Sequence, residues 1–194
     1  MELLVVVAII SVLAIVSLPN IISTGRSMQL TQAGQLVETQ LQVARQRALA
    51  NNRSVEVRFY SLGTSGTAPF TAIQPFFIST SGTSATPADK PYYLPGNMIM
   101  DNGNTLSTLL NQPTTTPLQA SSLLAPQSLG TSGTNYTCVT FRFKPDGSTN
   151  LTPASNWFVT VHAATDRDNL TTAPANYYTV QVDAYNGHIY DFHP

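Results

Sequence analysis

The first 24 residues constrain what the rest of the chain can be. Met1-Glu2-Leu3-Leu4-Val5-Val6-Val7-Ala8-Ile9-Ile10 opens a run that carries no charge from Leu3 to Gly25. As a helix, residues 3–24 span roughly 33 Å, enough to cross a hydrocarbon core of about 30 Å. A cleaved signal peptide needs a basic start and a small-residue cleavage site. Here the start is acidic and no A-x-A site follows. A simple membrane anchor explains the apolar run but not Glu2, because a carboxylate at the lip of an apolar helix is costly without a partner. The acid therefore predicts a task beyond insertion.

After Gly25 the pattern turns one-sided. Leu30, Ala33, Val37, Leu41, Ala44 and Ala48 recur at three- and four-residue steps, while Gln29, Gln32, Gln40, Gln42, Arg45 and Gln46 mostly fill the remainder. That is the stripe of an amphipathic helix. No proline interrupts residues 20–53, so the membrane half and the amphipathic half are predicted to be one helix of roughly 75 Å, ending at Asn51-Asn52. Pro19 removes one backbone donor and is expected to bend or loosen the apolar half. Three segments follow from this: an apolar helix at 1–25, a stem at 26–53, and a head at 54–194.

The head reads as strands. Val55, Val57 and Phe59 alternate with Glu56, Arg58 and Tyr60, which predicts a half-buried strand. Residues 70–80 predict a second strand, which Pro75 assigns to a sheet edge. Residues 136–143, the alternation Trp157, Val159, Val161, and the alternation Tyr178, Val180, Val182 predict three more. Lys144-Pro145-Asp146-Gly147-Ser148 is a turn, with Pro145 setting φ and Gly147 supplying a positive one. Asn186-Gly187 predicts a hairpin into 188–192. Residues 101–135 predict a short helix at 105–111 and otherwise a Thr/Ser/Pro-rich loop of functional length. The fold class expected is α+β, a long N-terminal helix packed on an antiparallel sheet.

Chemistry is sparse. Charged residues make up 10% of the chain and the net charge is −1, which leaves no basic field for nucleic acid. The single cysteine, Cys138, predicts a small buried hydrophobe rather than a disulfide or a reactive thiol. His162, His188 and His193 lie in or beside predicted strands without zinc-site spacing and are expected at the surface or an edge. Asp166-Arg167-Asp168 is either a solvated loop or a cation clip. The GTSGT pentapeptides at 63–67 and 130–134 lack the Lys-Ser/Thr ending of a phosphate loop. No catalytic residue, metal ligand or cofactor site is identified.

Glu2 followed by Leu3-Leu4-Val5-Val6-Val7-Ala8-Ile9-Ile10, with Pro19 beyond it, resembles the N-terminus of type IV pilins and type II secretion pseudopilins. The segment from Leu41 through Ala44, Arg45 and Ala48 to Val57 resembles the Ala-Arg-x-x-Ala helix end and first strand of the GspH/FimT branch, the minor pseudopilins and minor pilins. Leu94-Pro95-Gly96, Phe143-Lys144-Pro145-Asp146-Gly147-Ser148 and the closing hairpin at Gly187 resemble that family's later motifs. The Verru_Chthon cassette protein D group is similar as well. The resemblance implies a subunit of a type II secretion pseudopilus or type IV pilus-like filament, not an enzyme. It implies a single pass through a bacterial inner membrane with a periplasmic head. Its partners would be other pilin or pseudopilin subunits, one of whose N-terminal amines pairs with Glu2. It also implies a precursor with a leader that a prepilin peptidase removes, followed by prepilin methylation. Such a leader would precede Met1, so the sequence as written is not expected to be a peptidase substrate. Two other readings stay open: a DNA-uptake minor pilin, which the tail 187–194 disfavours by having no Arg or Lys, and an anchored binding module that never polymerises. For Arg45 and Arg47 the residues themselves suggest a solvated or dipole-capping helix end.

Overall fold

The computed structural model describes residues 2–62, 68–111 and 136–194, and their side chains except at 2–4, 8–9 and 12–24. Both GTSGT pentapeptides, most of the 101–135 loop, and the side chains of Glu2 and Pro19 lie outside the described residues. Helix α1 runs unbroken from Glu2 to Asn51, 50 residues or about 75 Å. Its end is a Schellman turn. Asn52 takes the left-handed conformation (φ 48°), its N–H donates to Leu49 O, and the Arg53 N–H donates to Ala48 O.

The predicted stripe is the buried one. Leu30, Ala33, Val37, Leu41, Ala44 and Ala48 are all buried against the sheet. Burying Leu30, Val37 and Leu41 contributes roughly 1.5–3 kcal/mol each, and the alanines let the helix axis approach the sheet closely.

The head is one antiparallel sheet built from β1 (Val55–Ser61), β2 (Phe70–Ile78), β3 (Ala85–Pro87), β4 (Tyr92–Tyr93), β5 (Met98–Met100), β6 (Thr137–Phe143), β7 (Trp157–Ala163), β8 (Tyr178–Val182) and β9 (Ile189–Phe192). The spatial order is β6-β1-β2-β5-β7-β8-β9, with β3 and β4 also paired to β2. Alternation sets the inner face: Val55, Val57, Phe59, Val139, Phe141, Phe143, Val159, Val161, Val180 and Val182 share one core with the helix stripe.

Three expectations need correction. First, β1 is buried along its whole length on both faces, because it is central, between β6 and β2. Second, β2 is interior rather than an edge. Pro75 is buried and opposite Val57. Its carbonyl accepts from the Ala88 N–H on the far side. In a strand the N–H of a residue points the same way as its C=O, so the missing donor faces the gap between β4, paired at Ala72 and Ile73, and β3, paired from Phe76. The β1–β2 ladder loses nothing. Third, the helix expected at 105–111 is only a 3-10 turn at Thr108–Leu110.

The outer face of β1 holds a buried ion network. Glu56, fully buried, accepts from Arg58 Nε at 2.8 Å and from Arg142 Nε at 2.9 Å. The Arg58 guanidinium also lies 3.9 Å from the Phe76 ring centroid. Beside it, Tyr60, Ala72 and Cys138 form a small cluster under Leu62 and Tyr136. Burial pushes the Cys138 thiol up to about 12, which leaves roughly one thiolate in ten thousand at pH 8. The folded chain should therefore resist a disulfide-exchange reagent at pH 8 for hours and react stoichiometrically once unfolded. Rapid labelling of the native chain would contradict this burial.

Candidate assembly surface and motif residues

Helix α1 has two different halves. From Leu30 on, one face is sunk in the sheet. Near its start the described side chains are bare: Val5, Val6, Val7 and Ile10 are each more than half exposed. These are apolar groups left more than half open, a surface that another apolar phase would cover. Among the described residues no helix is long and apolar enough to cross a membrane. The side chains at 12–24, the second half of the uncharged run, are not among them.

At the other end of α1 the motif residues converge. Ala44 and Ala48 are fully buried. Arg45 does not cap its own helix, as its position suggested. Its Nε donates to Asn186 O at 3.1 Å and to Gly147 O at 3.4 Å, tying the helix to two turns far away in sequence. Arg47 likewise reaches out, donating to Ala88 O at 2.8 Å and to the Asp89 carboxylate at 2.6 Å. The Arg47 guanidinium helps hold the Asp89 carboxyl below its usual value against the opposing effect of burial.

Around Arg45 the two glycine turns meet. Gly147 has φ 82° and Gly187 φ 65°. A Cβ at Gly187 would overlap the Gly147 carbonyl oxygen, and one at Gly147 would press on Leu49. Next to Pro145, the Asp146 carboxylate accepts the Ser148 hydroxyl at 2.7 Å and the Ser148 N–H at 2.9 Å. The hydroxyl bond, with the amide, holds the Asp146 carboxyl below its ordinary value. Ala44, Arg45, Ala48, Gly147 and Gly187 thus form one joint that locks stem to head, with the turn of Pro145 and Asp146 at its rim.

Two further constellations had no signal in sequence spacing. His162 is fully buried, not at an edge, and its Nε2 lies 3.0 Å from the equally buried Asp101 carboxylate. Its Nδ1 faces the Ala163 carbonyl at 3.0 Å. Asp101 also accepts the N–H groups of Gly103 at 2.6 Å and Leu170 at 3.1 Å. Alternation along β7 correctly places His162 opposite Val161. What it could not show is that residues 101–111 and 168–170 cover that face. Asp168, from the suspected cation clip, instead accepts the Asn102 and Asn169 N–H groups at 2.7 and 2.8 Å.

The second is a latch between stem and sheet. The Tyr178 hydroxyl lies 3.1 Å from carboxylate oxygens of both Glu38 and Asp191, and its ring stacks on His193. Burial, then the two carboxylates, push the phenol's pKa up. Among the described residues no group of three His, Cys, Asp or Glu side chains is placed to hold a metal ion.

No protein-family model and no curated protein matches the sequence. Solved structures to which the chain is similar include two minor pilin-type proteins. One is the type IV minor pilin FimU of Pseudomonas aeruginosa, at 11% identity over 85% of this chain and 92% of that one, with a TM-score of 0.48. The other is the minor pseudopilin EpsH from the type 2 secretion system of Vibrio cholerae, at 9% identity over 86% and 98%, also with a TM-score of 0.48. At this distance the functional reading has to stand on the helix and the head themselves.

Proposed function

We propose that the chain is a minor pilin or minor pseudopilin, a structural subunit of a secretion pseudopilus or type IV pilus-like filament. The observation that carries this reading is the division of α1. One half is fixed in its own head, and the other begins with bare apolar side chains. Such a half is stored in a bilayer, with the head on the periplasmic side, and is then covered by the equivalent helices of neighbouring subunits in a filament core. In that core Glu2 pairs with a neighbour's N-terminal amine, because a carboxylate among apolar helices needs a partner. The role is structural rather than enzymatic.

The test is in-cell crosslinking along α1 in a version carrying a prepilin leader, comparing wild type with Glu2→Ala. Wild type should crosslink to filament subunits. Glu2→Ala should insert and fold equally well but lose most of that crosslinking. Equal crosslinking would remove the register role of Glu2. No crosslinking by either, with the head still binding another partner, would favour the anchored-module reading.

A further inference from the structure

Positive charge gathers at one end of the head, and that end is hollow. Two adjoining clefts of about 490 Å³ and 320 Å³ share Ser54, Arg142 and Pro145 in their walls. Lys144 completes the cationic lining of the first and Arg53 that of the second. Among the described lining residues Asp146 is the one acid; the Ser148 hydroxyl and N–H hold its carboxylate, which keeps its charge and offsets one of the cations.

The buried ion network explains why Arg142 counts as a net cation. Glu56 offsets one positive charge but receives two guanidinium groups. The Arg58 side chain is 5% exposed, whereas that of Arg142 is 32% exposed. The surplus charge is therefore presented at Arg142, on the cleft wall. Arg53 is positioned by Ile78 O, which accepts from Nε at 3.3 Å and Nη2 at 2.9 Å. A carbonyl orients a guanidinium without neutralising it. Lys144 is exposed on its turn. In a chain of net charge −1, three cations against one acid around two adjoining clefts are a local excess that the overall balance conceals.

We propose that this cleft docks a carboxylate-bearing segment of a partner protein, a short acidic stretch of chain. Guanidinium groups match carboxylates in planar, two-pronged hydrogen bonding, and the Lys144 ammonium adds a point charge at the mouth. Concave walls focus the field and strengthen the attraction relative to a flat surface. A nucleic acid backbone instead requires an extended basic track, whereas these three cations line one pair of adjoining clefts. The proposal does not depend on whether the subunit polymerises.

The test uses the full chain in detergent micelles and a fluorescein-labelled hexaglutamate peptide, read by anisotropy in 50 mM salt. Hexaglutamate should bind and hexaglutamine should not. Lys144→Glu, on an exposed turn, should weaken binding about 5–10-fold, as should raising salt to 300 mM. Lys90→Glu, the same charge change at an exposed lysine that lines neither cleft, should leave it unchanged. Equal binding of hexaglutamine, or equal effects of Lys144→Glu and Lys90→Glu, would overturn the proposal. So would displacement of the peptide by a six-nucleotide oligothymidylate at lower concentration. Self-association of the chain that Lys144→Glu abolishes would assign the cleft to a second copy and overturn it as well.

Discussion

Asp101→Ala should cost the head about 3–5 kcal/mol, because it removes the acceptor of several buried donors at once. The residue serves three donors at once: His162 Nε2 at 3.0 Å, the Gly103 N–H at 2.6 Å and the Leu170 N–H at 3.1 Å. Alanine leaves all three without an acceptor, and each orphaned buried donor costs about 1–3 kcal/mol. Its removal also frees the start of the 101–111 segment. That segment finishes the edge of β7 where β5 is too short. The Asp101 N–H donates to Thr160 O, and the Ser107 and Thr108 hydroxyl oxygens accept the N–H groups of Thr160 and Phe158. Trp157, the only tryptophan, sits on the same strand and reports unfolding by its fluorescence. A loss of this size should lower the melting temperature by roughly 10 °C. His162→Leu should cost less, about 1–3 kcal/mol, because Asp101 keeps both backbone donors. The two changes should be strongly non-additive in a double-mutant cycle. A loss below about 1 kcal/mol for Asp101→Ala would show that the pair does not pin this region.

What was legible in the sequence was whatever repeats with a period. The helix stripe from Leu30 to Ala48 and the alternations on β1, β6, β7 and β8 carry their own face assignment, since each is a local pattern. The inner faces they assign are as the structure has them. Turn chemistry was legible for the same reason: Gly147 and Gly187 adopt positive φ in the turns where they were expected. What failed depended on what lies across from a residue. Pro75 read as an edge because a proline's missing donor is local information, whereas the gap between β3 and β4 that accommodates it is not. His162 read as peripheral because its cover comes from residues some 60 positions earlier. Arg45 read as solvated or capping its helix dipole because its carbonyl partners belong to turns about 100 and 140 residues later. Glu56 read as the solvent side of a half-buried strand, and its partner Arg142 lies 86 residues away. In each case the error is one of long-range pairing, not of local propensity.

Gly34→Ala should destabilise the chain by about 2 kcal/mol, although on a bare helix the change would be favourable. Alanine gains roughly 0.8–1 kcal/mol over glycine in a helix interior. At Gly34, however, a Cβ would fall within the Tyr178 ring. The ring cannot yield cheaply. Its hydroxyl is held at 3.1 Å by both Glu38 and Asp191, and its face stacks on His193 with centroids 5.2 Å apart. Either the stem lifts off β8 or Tyr178 leaves the core and abandons two charged acceptors. Overpacking of this kind costs about 1–3 kcal/mol, sometimes more, and the lost hydrogen bonds add to it, so the clash outweighs the propensity gain. Gly25→Ala is the matched control, since a Cβ there meets nothing within 4 Å. It should be neutral or stabilising by up to about 1 kcal/mol. Tyr178→Ala in the Gly34→Ala background should cost much less than it does alone, because the clash disappears with the ring. If Gly34→Ala behaved like Gly25→Ala in thermal melts, the close approach of stem and sheet at this point would be wrong, and with it the assignment of Tyr178 as the latch between them.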